Sequence, residues 1–253
     1  MFNLLRLQSD GSLVLIIYSQ LTSLPAYAVL SHVLEDGEVS FEDIVKHTGR
    51  QKKGYEKLIL CATEAASDGL EYLWVGSCCV NRNDEHETEH TQNLTFHMLQ
   101  RARKCYVYLS DVPIVGSTQR AQNDVAFRKS QWFTRAWTLQ ELITPSCVTF
   151  LSSEGWRLGD KKSFLPLLLD ITRIPASAFD GTPLSDFSVD QRISWLGERT
   201  SSRKEDRAYS LMGILDVYIS PCYGEGEESA FKRLREAIGE HSSKVLPRQV
   251  TVI

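Results

Sequence analysis

Four short apolar runs, separated by helical patterns, limit the fold of this chain more than any other feature. Each run is nearly continuous in apolar character, as strands are when helices cover both faces of a parallel sheet. The runs are YAVLSH (27–32), EYLWVGSCCV (71–80), CYVYLS (105–110) and CVTFLSS (147–153). Between the first two, GYEKLILCATEAASDG carries a helical apolar stripe that ends at Gly69. The alternation predicts an α/β fold, with a mainly parallel sheet flanked by helices.

The N-terminal region predicts one more strand. Its apolar run LVLIIY is too short to span a membrane and lacks the shape of a signal peptide, which favours a cytoplasmic protein. Weaker helical patterns at 92–103 and 131–143 complete the predicted core, which we place at residues 1–155.

Beyond residue 155 the sequence predicts a helical extension packed on the core, at 156–238. Helices are expected near 188–199, 203–215 and 227–238. Ser188 with Gln191, and Ser202 with Glu205, fit capping boxes that start the first two. The segment 239–253 has no periodicity and is predicted to be a loose tail.

Charge and cysteine usage exclude some classes of function. The chain has 28 basic and 32 acidic residues and a net charge of −4, which argues against a nucleic-acid partner. Its six cysteines show no C-x-x-C spacing, so we expect reduced thiols rather than a zinc or redox site. The two histidines of HETEH (86–90) lie in a polar run that favours a solvated loop over a metal site.

Polar residues at the ends of predicted strands are the first candidates for a site. Ligands of open α/β sheets bind beyond the carboxyl ends of the strands, where Ser31 and His32 follow the first core strand. A turn cap and a histidine bonded to the backbone would explain the same pair. Cys78 and Cys79 follow the second strand without a base to activate them, which favours core packing.

The segment SQWFTRAWTLQEL (130–142) gives the sharpest hypothesis. If it is one helix, Trp137 and Glu141 lie one turn apart, near Trp132. This face would look toward the strand ends that carry Ser31 and the pair Ser110 and Asp111. An aromatic plate beside a carboxylate suits cleavage of a glycosidic bond through an oxocarbenium-like state. A packed tryptophan and a surface carboxylate remain the simpler alternative.

Six segments resemble the fungal heterokaryon incompatibility (HET) domain and its C-terminal continuation, in the family's order, up to about Ile238. They are YAVLSHVLEDGEVSFEDI, GYEKLILCATEAASDGLEYLWVGSCCVN, ARKCYVYLSDVP, SQWFTRAWTLQELITPS, FSVDQRISWLGERTSSRKEDRAYSLMGILDV and YGEGEESAFKRLREAI. The HET family acts in fungal non-self recognition, where its activation triggers programmed cell death.

The resemblance implies a flavodoxin-like fold similar to Toll/interleukin-1 receptor (TIR) domains, some of which hydrolyse NAD. In those enzymes a glutamate binds the ribose beside nicotinamide and is needed for cleavage. Glu141 matches this glutamate, Trp137 matches its motif partner, and Ser31 and His32 match the loop after the first core strand. NAD is then a candidate substrate rather than a cofactor, and the expected partners are proteins of the incompatibility system and further copies of the chain.

Two positions depart from the family pattern. The family usually reads S-H-x-W after the first strand, where this chain has Leu34, and W-V-D-x-C-C-I at the second strand, where it has Gly76. Two readings therefore stay open. One is a cell-death effector that hydrolyses NAD, and the other is a catalytically inactive HET module that acts by protein association.

Overall fold

The strands form one sheet in a computed structural model that describes residues 2–114 and 120–245. They are β1 (Phe2–Leu7), β2 (Leu13–Tyr18), β3 (Tyr27–His32), β4 (Tyr72–Val75), β5 (Lys104–Tyr108), β6 (Val148–Leu151) and β7 (Arg157–Asp160). Their spatial order is β2-β1-β4-β3-β5-β6-β7. The four central strands are parallel, and antiparallel strands extend both edges. The predicted α/β fold is confirmed, and its central order matches the start of the flavodoxin-type order.

Helices connect the parallel strands and follow the sheet. They are α1 (Phe41–Val45), α2 (Gly54–Ser67), α3 (Glu85–Arg101), α4 (Arg120–Lys129), α5 (Thr138–Ile143), α6 (Leu165–Thr172), α7 (Val189–Ser194), α8 (Asp206–Tyr209), α9 (Met212–Leu215) and α10 (Glu227–Val245). None of the helices described is long and apolar enough to cross a membrane.

Strand β3 directs successive side chains to opposite faces of the sheet. On one face, the Tyr27 hydroxyl donates to the carbonyl of Met98 in α3 at 2.7 Å, and Ser31 contacts Glu141 in α5. On the other face, His32 contacts Glu38, which also binds Lys57 in α2. The end of β3 therefore serves two separate polar clusters.

The helix predicted over 131–143 is wrong as a continuous element. A 3₁₀ turn spans Gln131–Thr134, Arg135 is extended, and α5 begins at Thr138. The break occurs because the backbone pairs with a distant segment: the Ala136 amide donates to the Thr200 carbonyl at 2.8 Å, and the Thr200 amide donates to the Thr134 carbonyl at 2.6 Å. Tertiary pairing here outweighs local helix preference.

The loop predicted at 86–90 is also wrong, because α3 starts at Glu85. Asp84 caps the helix by accepting from the Glu87 amide at 3.0 Å. The Glu87 carboxylate is held in turn by the Asn3 side chain and the Asn81 amide, each at 3.2 Å. These contacts stabilise the polar first turn of α3, which the sequence does not predict because it carries no apolar stripe.

The C-terminal predictions have mixed outcomes. The capping box of Ser188 and Gln191 is confirmed, but the one expected from Ser202 and Glu205 is wrong. The Glu205 carboxylate instead accepts from the amides of residues 224 and 226 at 2.9 and 3.0 Å, and 203–215 contains two short helices.

The boundaries at 155 and 238 remain predictions. The sheet continues to Asp160 through β7, and α10 continues to Val245, while 246–253 lie outside the described residues. Side chains of the C-terminal helices, among them Leu168, Ala208 and Leu234, join one buried apolar cluster with the strands.

Candidate functional site

A cavity of about 710 Å³ opens at the carboxyl ends of β3 and β4. This is the edge where open α/β sheets bind ligands. Its walls come from the strand ends, the first half of α3, the segment leading into α5, residues 200–206 and Tyr223. The predicted residues His32, Trp137 and Glu141 all line it.

The Glu141 carboxyl is fixed by a buried hydrogen-bond chain. Trp132 Nε1 donates to Ser31 Oγ at 2.7 Å, and Ser31 Oγ donates to Glu141 Oε2. Ser31 and Trp132 are almost fully buried, at 1% and 0% exposure. Since Ser31 accepts from the indole, its own proton is directed at the carboxylate, and Glu141 is held in one orientation.

Burial raises the pKa of Glu141 to about 7, although the Ser31 hydrogen bond and the positive charge of Arg199 favour the carboxylate. Arg199 itself is 5% exposed and donates to the Thr138 hydroxyl at 2.8 Å and the Arg135 carbonyl at 2.9 Å. It therefore acts on Glu141 through space. A carboxyl with this pKa exchanges protons near neutral pH, as general acids and bases do.

His32 lies on the opposite side of the strand end, in a different environment. Its Nε2 is 3.3 Å from Glu38 Oε2, and burial lowers the pKa of the ring, so the neutral form is favoured at neutral pH. Burial also disfavours charge on Glu38, but contacts with His32 and Lys57 lower its pKa to about 2. Glu38 and Lys57 form an ion pair and line a separate, smaller pocket, so only His32 of this group lines the cavity.

The second wall was not predicted from the sequence. Tyr223 Oη donates to Asp206 Oδ1 at 2.9 Å and accepts from Gln92 Nε2 at 2.6 Å. The Trp137 indole also favours the Asp206 carboxylate, but burial dominates and raises the pKa of Asp206. The cavity is thus lined by three carboxyl side chains, Glu89, Glu141 and Asp206, the last of which comes from the C-terminal extension.

Four predicted ligand-binding residues do not line the cavity: Ser31, which reaches it only through its hydrogen bond to Glu141, and Trp132, Ser110 and Asp111. Trp132 packs edge-on against Phe133 and Phe150 in the core, and only its N–H serves the site. Ser110 donates to Glu35. Asp111 accepts from Ser130 Oγ and the Gln131 amide, both at 2.7 Å, and so anchors the 3₁₀ turn. Sequence spacing places these residues near the strand ends but cannot show which way they point.

Four buried polar atoms on cavity-lining side chains have no hydrogen-bond partner in the described residues. They are Nδ1 and Nε2 of His32, Oγ of Ser77 and Oε1 of Gln92. Native structures rarely leave such atoms unpaired. Their position on one cavity fits a site that a polar ligand or water completes.

Cysteine and metal chemistry find no support in the described residues. Cys78 and Cys79 are buried, and burial raises the pKa of the Cys78 thiol well above its ordinary value. The described His, Cys, Asp and Glu residues form no cluster that would hold a metal ion.

Comparison with known proteins points to one family. The chain is 43% identical over 236 residues, 90% of its length, to the vegetative incompatibility protein HET-E-1 of Podospora anserina. The chain is a HET-related protein. The match spans 17% of that relative's own length. No family model matches the chain, and no solved structure is significantly similar to it.

The two departures from the HET pattern lie on the same cavity as Glu141. Leu34 and Gly76 both line it, and Leu34 is 53% exposed. A Cβ added to Gly76 would meet only the Trp74 ring, at 3.7 Å. The backbone therefore has room for the aspartate that the HET pattern usually carries there.

Proposed function

We propose that the cavity binds NAD and that Glu141 promotes cleavage of the bond between nicotinamide and ribose. The observation that carries this proposal is a half-buried carboxyl with a pKa of about 7, held by Ser31 at the wall of a large cavity. The volume lies in the range of small-molecule sites. Trp137 supplies an aromatic surface on the same wall.

In the proposed step the C1′–N bond breaks and nicotinamide leaves with the electron pair, which neutralises its ring nitrogen. The ribose becomes oxocarbenium-like, and the Glu141 carboxylate stabilises this positive charge. Water adds to C1′ and loses a proton to the carboxylate, which releases it to solvent. The products are nicotinamide, ADP-ribose and one proton.

The proposed site is supported by its surroundings as well as by Glu141. The Ser31 and Trp132 chain fixes the carboxylate before substrate arrives, so little reorganisation is needed in the transition state. The neutral His32 ring and the Gln92 side chain also line the cavity and supply polar groups beside the proposed ribose site.

The test is NAD consumption by concentrated purified protein, with nicotinamide measured by chromatography. Glu141→Gln should lower the rate at least a hundredfold and leave the fold intact by circular dichroism. The control is Glu71→Gln, because Glu71 is exposed and remote from the cavity. Equal rates for Glu141→Gln and the control would remove Glu141 from the reaction.

A second candidate function is association without catalysis. The observation that favours it is the pair Leu34 and Gly76, which changes the cavity wall at two positions of the HET pattern. In this case an exposed apolar Leu34 contributes to a protein contact rather than to substrate binding. This function would be favoured if the protein leaves NAD intact, associates with itself, and associates less strongly after Leu34→Ser.

Either way, we propose that the chain acts in vegetative incompatibility, as the name of its relative states for that protein. The cytoplasmic location, the partners within the incompatibility system and the similarity to TIR domains remain part of this proposal. The role in cells is tested by co-expressing the wild-type chain or the Glu141→Gln variant with a candidate partner and comparing the amount of cell death.

A further inference from the structure

Three arginines line the cavity without an acidic partner. They are Arg82, Arg135 and Arg203. The arginines that form ion pairs in the described residues are Arg6, Arg128, Arg157, Arg173, Arg207 and Arg233. Glu89, Glu141 and Asp206 line the same cavity, but none of them forms an ion pair with these three arginines in the described residues. The three guanidinium groups make this wall attractive to an anion.

Arg203 is held in place without a direct ion pair in the described residues, although its charge favours the nearby Asp206 carboxylate. Its guanidinium carbon lies 3.9 Å from the centroid of the Tyr223 ring. The Tyr223 hydroxyl is tied to Asp206 and Gln92, which fixes the ring. Stacking orients the plane of the guanidinium and leaves its N–H edge available.

Arg135 is brought beside Arg203 by the backbone pairing that breaks the predicted helix. Residue 135 forms a parallel bridge with Thr200, and Arg135 Nη2 donates to Ser202 Oγ at 2.9 Å. Residues 201–203 therefore run along the wall that carries Arg135 and leads to Glu141. Arg82 approaches from the end of β4, where its Nη2 donates to the Gly76 carbonyl at 3.3 Å.

Phosphate is the anion that this arrangement fits best. Planar guanidinium groups bind phosphate oxygens through paired, charge-assisted hydrogen bonds. A ligand with a single carboxylate would need only one guanidinium group, whereas the oxygens of a diphosphate can accept hydrogen bonds from two or three. We propose that Arg135 and Arg203 bind the diphosphate of the dinucleotide, with Arg82 as a third contact, so that the C-terminal extension completes the substrate site.

This inference rests on the proposed function, because the diphosphate is that of the proposed substrate. Nicotinamide riboside carries the same scissile bond without a phosphate. The ratio of NAD cleavage to nicotinamide riboside cleavage therefore reports the phosphate contact, while Glu141 affects both substrates.

The experiment has a binding arm and a cleavage arm. Binding of ADP-ribose is measured by calorimetry on the Glu141→Gln protein, with and without Arg203→Gln or Arg135→Gln. Each arginine change should weaken binding about tenfold or more. In the protein with Glu141 intact, each should lower NAD cleavage at least tenfold more than cleavage of nicotinamide riboside. Arg173→Gln is the control. This substitution removes the same charge, but Arg173 is exposed and lies outside the cavity.

The outcomes separate the two proposals. Cleavage of both substrates with a ratio that Arg203→Gln and Arg135→Gln do not change would overturn the diphosphate site and leave the hydrolase standing. Arginine-dependent binding of ADP-ribose by a protein that cleaves neither substrate would support the diphosphate site and overturn the hydrolase. Absence of both binding and cleavage would overturn both.

Discussion

Two glutamates near the end of β3 lose water on folding but differ in ionisation. Burial opposes charge on each, yet contacts with His32 and Lys57 lower the pKa of Glu38 to about 2. Glu141 has no ion-pair partner in the described residues, and its pKa is raised to about 7. The comparison teaches that a neighbouring cation, rather than burial, decides which carboxyl is structural and which is available for chemistry.

The largest expected effect comes from removing the cation that makes the Glu38 side structural. Lys57 is 7% exposed and forms an ion pair with Glu38. Lys57→Met leaves a buried carboxylate without its cation, and we expect a loss of about 3–5 kcal/mol in unfolding free energy. Urea denaturation at pH 7 measures this. Lys46→Met removes the exposed cation of a surface pair with Glu42 and should cost less than about 0.5 kcal/mol.

The pH dependence gives a second view of the same pair. The folded pKa of Glu38, about 2, lies below its ordinary 4.5. Its stabilising contribution is therefore present above pH 4.5 and lost as pH falls from 4.5 toward 2. Lys57→Met should flatten this acid limb. If Lys57→Met loses no more stability than Lys46→Met, Glu38 does not depend on its cation, and the contrast with Glu141 fails.

A smaller effect is expected from cutting the hydrogen-bond chain on the Glu141 side. Ser31→Ala removes the donor to Glu141 and leaves the buried Trp132 N–H without its acceptor, at a cost of about 1–3 kcal/mol. The pKa of Glu141 should rise further, since a hydrogen bond that favours the carboxylate is lost. The pH profile of NAD cleavage should shift to higher pH.

Ser77→Ala is the matched control for Ser31→Ala. The Ser77 hydroxyl lies at the same cavity, with only the Cys78 thiol beside it. We expect a change below about 0.5 kcal/mol and an unaltered pH profile. Equal effects of the two alanines would mean that the Ser31 hydroxyl does not orient Glu141.

The Glu141→Gln substitution should stabilise the protein, in contrast to Lys57→Met. The folded pKa of about 7 lies above the ordinary 4.5, so wild-type stability falls as pH rises from 4.5 through 7. Glutamine keeps an acceptor for Ser31 and carries no charge. At pH 8 we expect a gain of about 1–2 kcal/mol after allowing for water that enters the cavity. Thermal melts at pH 5 and pH 8 measure it, and a gain that is equal at both would contradict the raised pKa.

The sequence predicts one side of this comparison better than the other. Strand β3 is predicted residue for residue at 27–32, because a continuous apolar run between turn signals has few alternatives. His32, Trp137 and Glu141 all line the cavity beyond the strand ends, as the parallel topology leads us to expect, while their roles stay predictions. The short α5 still places Glu141 at the cavity although the longer predicted helix is broken.

The C-terminal wall has no local signal. Arg203 and Asp206 follow Thr200, whose backbone pairs with the segment before α5, and this contact between positions about 65 residues apart is encoded by no periodicity. Trp132 shows the opposite failure. Its aromatic character suggests a binding plate, but only packing decides that the ring is buried and its N–H serves Ser31.

A small effect on stability is expected from Gly76→Asp, which sharpens the comparison by adding a carboxyl to the Glu141 side. Gly76 does not have a positive φ, and an added Cβ makes only an ordinary contact with the Trp74 ring at 3.7 Å, so we expect a change within about 1 kcal/mol. Arg82 is close enough to compensate the new charge. A negative group at this wall favours the cationic nicotinamide end of NAD, and cleavage should rise, further so with Leu34→Trp. Gly76→Asn is the uncharged control. If the aspartate and the asparagine cleave NAD at the same rate, the charge at this position does not limit catalysis. If both variants leave NAD intact, association becomes the better account of this cavity.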